Sequence, residues 1–374
     1  MSEMKSADSS LKVSAPIQTK CPSCGGSLFF EPSVRNLKCQ YCGYTEQLTV
    51  QNDLIRELEL KDHLQSEEWV VEDQGKKVVH CDSCGANVFV DKDQIRTRCA
   101  FCASEEIRDE VFQHRLFKPS GIIPFYLGKK EAETSFTVWI GRGWFHPSEL
   151  KHAATLDALV GVYIPFWTFD FQAYAEWCGE AGYQYTTYRQ VMINGKLSSQ
   201  PVTQIRWEYR SGILRHFFDD ILISASDRID QKYRARISGY RLNELMNFDA
   251  RYTIGWESEL YNLKLDESYR MAEKTVLDQV RNMCSGQLGG NVQRNLNVHT
   301  ELSGQTFKHI YLPLWISSYR YHGKVYRILI NGQTGKIYGE KPISWIKVSL
   351  LVFMFLVVVW AIWWLREAGM LSNH

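Results

Sequence analysis

Hydrophobic and polar residues alternate from Phe169 to Trp177, where Phe, Ala and Trp side chains occupy every second position. A period of two places these side chains on one face of a β-strand and predicts a half-buried strand. A second strand is predicted over residues 183–193. Asn194-Gly195 follows it and favours a type I′ hairpin turn into a third strand. The middle of the chain is therefore predicted to be rich in β-structure.

Helical patterns occur in three other segments. Residues 129–140 carry Phe136, Trp139 and Ile140 and predict a short helix. Residues 52–64 predict a helix within a linker over residues 51–75. Residues 266–284 predict a longer helix that Asp266 caps. The apolar residues along one face of this helix are Tyr269, Ala272, Val276, Val280 and Met283.

One segment near the C-terminus is long and apolar enough for a membrane span. From Val348 to Leu365, Ser349 is the only polar residue, and the predicted transmembrane helix covers residues 343–365. Tryptophans lie at both ends of this segment, as they do at membrane interfaces: Trp345, Trp363 and Trp364. A buried core helix is a poor alternative, because the segment is apolar on every face.

Flanking charge predicts the orientation of this helix. Lys336, Lys341 and Lys347 precede the span, and Arg366 is the only basic residue after it. The positive-inside rule then places the N-terminal bulk in the cytoplasm. No apolar run follows the initial methionine, so no secretory signal peptide is predicted.

Eight of the ten cysteines lie in the first 102 residues, as four C-x-x-C pairs. The pairs form two units with fourteen residues between their inner cysteines, and the second unit repeats the first sixty residues later. The first unit covers residues 19–50 and contains Cys21, Cys24, Cys39 and Cys42. The second covers residues 76–107 and contains Cys81, Cys84, Cys99 and Cys102.

This spacing predicts two structural metal sites. Two residues between thiolates form a tight knuckle, and glycine after the second cysteine lets the backbone turn toward the sulfurs. Four thiolates fill a tetrahedron and favour Zn²⁺, with rubredoxin-like iron as the main alternative. Cytosolic thiols stay reduced, so metal binding is favoured over disulfides. His80 adjoins Cys81, but the four cysteines complete the site without it.

A repeated string in the second half of the chain raises a hypothesis of duplication. Tyr163-Ile-Pro-Phe-Trp167 recurs as Tyr311-Leu-Pro-Leu-Trp315, and each copy precedes an Ile-Asn-Gly turn. A weaker copy begins at Ile122. The fold class predicted is α+β: two small β zinc ribbons, a mixed middle domain over residues 120–340 with this duplication, and one C-terminal transmembrane helix.

Both cysteine units, CPSCGG…LKCQYCG and CDSCGA…TRCAFCA, resemble transcription factor IIB-type zinc ribbons. The whole layout is similar to bacterial tail-anchored membrane proteins with paired ribbons, which are often labelled primosomal helicase-like. The resemblance implies a single-pass protein of the bacterial inner membrane. Some ribbon-plus-anchor proteins accompany phage-shock membrane-stress partners, which implies an adaptor in envelope stress.

Charge and missing motifs narrow the function. Residues 19–50 and 76–108 each carry a net charge of only +1, without the concentrated basic face that nucleic-acid modules show. The chain contains no phosphate-binding loop of the G-x-x-x-x-G-K-[ST] kind, which argues against a helicase, and no common catalytic motif. We therefore expect a non-enzymatic adaptor whose ribbons recruit a cytosolic protein. Nucleic-acid binding by the ribbons is the alternative, and an enzyme site in the middle domain is a third hypothesis.

A few isolated residues could carry chemistry. His216, Asp219 and Asp220 are close in sequence and could bind a metal, but a solvated or capping role is favoured because no second ligand cluster accompanies them. Cys178 and Cys284 are predicted to be ordinary packed thiols.

Overall fold

The computed structural model describes residues 20–48, 55, 57–63, 76–92, 97–102, 104–110, 116–143, 146–147, 159–193, 196–229, 239–321 and 324–367. Predictions for 49–54, most of the 51–75 linker and the Asn194-Gly195 turn lie outside or largely outside these residues. The described part is a mixed α+β protein with a small antiparallel sheet near the N-terminus, a large mixed sheet and a C-terminal apolar helix.

The small sheet belongs to the first cysteine unit. It contains β1 (Leu28–Glu31), β2 (Asn36–Cys39) and β3 (Thr45–Glu46), all antiparallel. Leu28, Phe30 and Leu37 alternate inward along β1 and β2 and are buried. They join a core with Phe125, Tyr163 and Tyr252 from the rest of the chain, so this unit is packed onto the body.

The second cysteine unit has a different relation to the body. Its strands β5 (Lys76–Cys81), β6 (Asn87–Asp91) and β7 (Ile107–Glu110) are members of the large sheet. The connection is β12 (Glu257–Glu259), which pairs antiparallel with β6 and parallel with the long strand β9 (Val160–Ile193).

Three long strands form the centre of the large sheet. β9 pairs antiparallel with β10 (Lys196–Ser224) on one side and with β13 (Val292–Tyr321) on the other. The remaining strands are β4 (Leu58–Glu59), β8 (Gly121–Ile122), β11 (Met246–Asn247), β14 (Lys324–Asn331) and β15 (Ile337–Gly339).

Four helices accompany the sheets in the described residues. They are α1 (Leu60–His63), α2 (Lys129–Ile140), α3 (Leu265–Leu288) and α4 (Trp345–Glu367), with 3-10 turns at Leu242–Glu244 and Ala250–Thr253. α2 has the predicted bounds. α3 packs its buried stripe on β9 and β10, and this contact forms the largest apolar core.

Several predictions of local structure need correction. The helix predicted over 52–64 is replaced at Leu58–Glu59 by a strand that pairs with β13, and among the described residues of this segment helix occurs only at Leu60–His63. Residues 183–193 continue β9 and do not form a separate strand. Asp266 lies in the first turn of α3, whereas Lys264 is the residue at its N-cap.

The two repeated strings are neighbours in the sheet. Tyr163 lies opposite Pro313, and Pro165 opposite Tyr311, across the antiparallel β9–β13 pair. Each string is followed by a hairpin, β9–β10 or β13–β14. The pairing is compatible with two related β-units, and duplication remains a hypothesis.

Candidate functional site

Both four-cysteine groups are geometrically suited to hold a metal ion. In each group the four sulfurs lie within 4.8 Å of one another. Cys21 and Cys42 are 3.5 Å apart, as are Cys24 and Cys39, and the matching pairs of the second group are 3.6 and 3.7 Å apart. A tetrahedral ion with metal–sulfur bonds of about 2.3 Å requires sulfur–sulfur edges of about 3.8 Å.

The knuckle backbone explains how these sulfurs converge. Gly25, Gly43 and Gly85 have φ near +70 to +75°, a region that glycine adopts without strain. Their N–H groups donate to the carbonyls of Cys21, Cys39 and Cys81, which closes each turn around the paired thiols. All ten cysteines are free of disulfides.

Local polar groups prepare particular sulfurs for the thiolate form. A hydrogen bond from the backbone N–H of Cys42 is the main cause that lowers the pKa of Cys39 to about 6. The Cys84 thiol, followed by the Cys102 backbone amide, lowers the pKa of Cys99 to about 5. Because the thiolate is the metal-binding form, these contacts favour ligation through Cys39 and Cys99, whereas the same sulfur–sulfur contact raises the pKa of the Cys84 thiol.

The third group that could hold a cation contains Asp170, Asp219 and Asp220. Asp219 and Asp220 occupy a bulge, since the register against β9 shifts between Phe218 and Ile221. The bulge directs the Asp220 N–H at Asp170 Oδ1, 2.7 Å away. Asp170 is buried, contrary to its expected place on a polar face, and burial raises its pKa to about 6.

A lysine already supplies positive charge to this acidic group. The Lys308 side chain is only 8% exposed, and its ammonium lies 2.7 Å from Asp220 Oδ1 and 3.1 Å from Glu57 Oε1. His216, which sequence placed with the two aspartates, instead packs its ring 4.6 Å from that of Phe218. The cluster is therefore an internal ion pair network of the fold.

Helix α4 is long and apolar enough to cross a membrane. It spans Trp345–Glu367, two residues later than the predicted 343–365, and its apolar window is not buried against the protein. Among the described residues it is the only such helix. Long side chains such as Phe353, Phe355 and Trp360 are more than half exposed, as a lipid-facing helix requires.

A two-stranded arm extends from the end of the large sheet that lies opposite α4. The last β9–β13 pair joins Gly182 to Val292, and beyond it β9 pairs only with β10. We call residues 183–206 the arm, of which 194 and 195 are outside the described residues. Its strands continue for about 35 Å at the usual rise per residue.

Large apolar side chains cover one face of β9 and β10, from the arm toward the body. Residues of this set are 40–74% exposed and lie on the face opposite α3, because they alternate with the buried Leu214 and Phe218. We call this set the apolar stripe: Tyr188, Met192, Leu197, Ile205, Tyr209, Ile213 and Phe217. Soluble surfaces rarely collect so many large apolar side chains without a binding role.

Sequence reasoning missed the arm. The many Trp and Tyr residues of 160–210 fit core packing as well as an exposed binding face, because burial cannot be read from a strand whose two faces are both mixed. The available signal was the combination of Asn194-Gly195 with flanking strands too long for an ordinary hairpin.

The chain is similar to an uncharacterized protein, YdjG, from Bacillus subtilis (strain 168). The two are 27% identical over 337 residues, which cover 89% of this chain and 92% of the relative. No family model and no solved structure matches the chain. The similarity therefore extends well beyond the cysteine motifs.

Proposed function

We propose that this protein is a membrane-anchored adaptor whose arm recruits a cytosolic protein to the bacterial inner membrane. Its two four-cysteine groups hold structural Zn²⁺, and α4 is a single C-terminal anchor. The observation that carries the proposal is the apolar stripe, which begins on the arm at the far end of the sheet from the anchor and continues toward the body. A role in envelope stress is the context that the family resemblance favours.

Zinc is the metal proposed for both ribbons. Four thiolates leave no open position for water or substrate, which suits a structural ion. Units of about 30 residues need such a staple, because their apolar cores are small. Membrane orientation follows from the excess of lysines before α4, and the reduced thiols fit the same cytoplasmic side.

The packing leads us to assign recruitment to the arm and not to the ribbons. Ribbon 1 turns Leu28, Phe30 and Leu37 toward the body, and ribbon 2 contributes its strands to the large sheet. Both units therefore stabilise the body. Tyr41, at 81% exposure, is the main large side chain that ribbon 1 presents outward.

Charge indicates the chemistry of the partner. Residues 183–206 contain Arg189, Lys196 and Arg206 and no Asp or Glu, a net charge of +3. A partner surface with apolar residues among acidic ones would complement the arm. The anchor raises the local concentration of such a partner at the membrane.

Removal of the arm tests this proposal. Gln184 and Ile205 are directly opposite in the β9–β10 register, so Asn-Gly can replace residues 185–204 as a two-residue turn. We expect membrane association and two bound metals to persist, while a partner captured by cross-linking in native membranes is lost. Tyr188→Ser should weaken capture and Thr186→Ser, on the same face, should not. Unchanged capture by the armless chain would reject the proposal.

Nucleic-acid binding by the same arm is the second candidate function. The arm combines net positive charge with exposed Tyr185 and Tyr188, and single-stranded nucleic acid is bound by basic grooves with stacking aromatics. Fluorescence anisotropy of a single-stranded oligonucleotide over a range of salt concentrations tests it. Salt-dependent binding that Tyr188→Ser weakens would favour this function over protein recruitment.

A further inference from the structure

The C-terminal end of α2 is joined to the segment that leads into α4. Lys341 Nζ donates to the carbonyls of Trp139 and Arg142, and its ammonium lies 4.2 Å from the centre of the Trp139 ring. Lys347 Nζ donates to the His146 carbonyl at 2.8 Å, and His146 Nδ1 donates to the Pro342 carbonyl at 3.0 Å. We call Val138, Trp139, Arg142, His146, Lys341 and Lys347 the collar.

From this geometry we infer that the collar binds the headgroups of anionic phospholipids. The inference rests on the proposed membrane insertion of α4. It adds a lipid-binding surface on the folded body, outside the membrane-spanning helix itself. The collar would thereby fix the orientation of the body relative to the bilayer.

The depth of α4 places the collar at the membrane surface. The apolar stretch begins at Val348, directly after Lys347, and runs to Leu365 with Ser349 as its only polar residue. Eighteen helical residues span about 27 Å, close to the thickness of the hydrocarbon core. Lys347 then lies at headgroup depth, and the His146 carbonyl that its ammonium contacts must lie at the same depth.

The charge of the collar region suits an anionic surface. Residues 138–147 and 339–347 together contain Arg142, Lys341 and Lys347 as basic residues and Glu340 as the only acidic residue, a net charge of +2. Arg142 is exposed. Each ammonium has three donors, of which two on Lys341 and one on Lys347 contact these carbonyls, so donors remain for phosphate oxygens.

Apolar side chains beside the collar fit the same depth. Val138 is 50% exposed on α2, and Ile343 and Trp345 are 55% and 76% exposed before and at the start of α4. Aromatic and apolar groups next to lysine and arginine are typical of the interfacial zone. The arm, in contrast, lies at the other end of β9, so its basic residues do not reach this surface.

Hydrogen exchange of the full chain in liposomes tests the inference. The chain is reconstituted in phosphatidylcholine alone or mixed with phosphatidylglycerol, and exchange is followed at residues 138–143 and 339–344. We expect exchange there to be about fivefold slower in the anionic liposomes, the change expected when roughly one Lys or Arg gains contact with an anionic surface. Arg142→Gln should reduce this protection, Arg142→Lys should retain it, and Arg189→Gln on the arm should leave it unchanged.

Three outcomes would overturn the inference. The first is equal exchange in both liposomes, and the second is that Arg142→Gln has no effect on exchange. Another is protection in phosphatidylcholine liposomes on addition of inorganic phosphate, which would assign the surface to a soluble anion. Flotation separates the two proposals. A chain that floats with liposomes but exchanges equally in both contradicts only the collar, whereas a chain that does not float also contradicts the membrane anchor.

Discussion

The two cysteine units have the same ligand spacing but different positions in the fold. Ribbon 1 has a sheet of its own, and Cys24 and Cys42 are exposed. Ribbon 2 is part of the large sheet, and Cys84 and Cys102 are half-buried. Equal motifs therefore do not imply equal structural roles, because the neighbours of each hairpin decide how far a bound metal would stabilise the rest.

One short segment, residues 253–259, connects both ribbons to the body. Ile254 accepts the Phe30 N–H of ribbon 1, and the Trp256 indole donates to the Phe30 carbonyl at 2.9 Å. From ribbon 2, Lys76 Nζ donates to the carbonyls of Thr253 and Trp256. Ribbon 2 adds backbone pairing between β6 and β12, so its connection is the stronger.

The largest expected effect is the loss of the ribbon 2 metal. Cys99 and Cys39 are matched third ligands, and both are buried. Cys99→Ser should remove one of two zinc ions and lower the free energy of unfolding by on the order of 5 kcal/mol, because β5 and β6 lose their staple within the large sheet. Metal analysis and denaturant unfolding measure both changes.

Cys39→Ser is the control for this comparison. It should also leave one zinc ion, but the global loss should be smaller, about 2 kcal/mol, since ribbon 1 can unfold locally. Equal losses for the two variants would show that sheet membership does not set the role of the metal.

A smaller effect is expected from pH, because His309 makes the stability of the body depend on pH independently of the ribbons. Burial lowers the pKa of His309 to about 4, below the ordinary value near 6.5. The stabilising contribution of the neutral ring is therefore present above about pH 6.5 and is lost as pH falls toward 4, with a change on the order of 3 kcal/mol. His309→Gln keeps a donor for the Phe117 carbonyl and should flatten this part of the stability profile.

Because acid also releases metal from thiolates, the informative quantity is the difference between the unfolding free energies of wild type and His309→Gln. That difference should change between pH 7 and pH 4. A constant difference would mean that acid acts on the ribbons alone.

The contact of ribbon 1 with the connecting segment should contribute less. Trp256→Phe removes the donor to the Phe30 carbonyl but keeps an aromatic ring against Phe125, whose centre is 4.0 Å away. We expect a loss of about 1–2 kcal/mol and faster hydrogen exchange in β1 and β2. Exchange in β5 and β6 should be unchanged, because ribbon 2 contacts backbone groups of this segment, which the substitution leaves in place. Acceleration in both ribbons would contradict this expectation.

The smallest effect is expected at the outer surface of ribbon 1. Tyr41 is 81% exposed, so Tyr41→Ser should change stability by less than about 0.5 kcal/mol. Zinc content should remain two ions per chain. A large loss of stability would show that the tyrosine packs against a neighbour in solution.

Local patterns predicted the elements that local contacts determine. α2 has its predicted bounds, and the alternation from Phe169 to Trp177 matches the buried face of β9. α3 extends the predicted 266–284 helix to Leu265–Leu288, and buried Cys284 continues its stripe. Each pattern reports on one face of one element, so no distant partner is needed to read it.

Long-range pairing accounts for what the sequence could not predict. Leu58–Glu59 becomes a strand only because β13 lies beside it, and the local helical pattern of 52–64 does not include that neighbour. The burial of Asp170 depends on Thr306 and on the bulge at Asp219-Asp220. The cysteine spacing did predict the two groups of converging sulfurs, since knuckle geometry is local.

Photo-crosslinking from two matched tyrosines tests the adaptor account most directly. Tyr188 on the arm is 74% exposed and Tyr41 on ribbon 1 is 81% exposed. A photoreactive residue at each position, in the full chain in native membranes, reports which surface contacts the recruited protein. We expect one discrete cross-linked protein from position 188 and none from position 41. A discrete product from position 41 with none from position 188 would return recruitment to the ribbons and contradict the adaptor account.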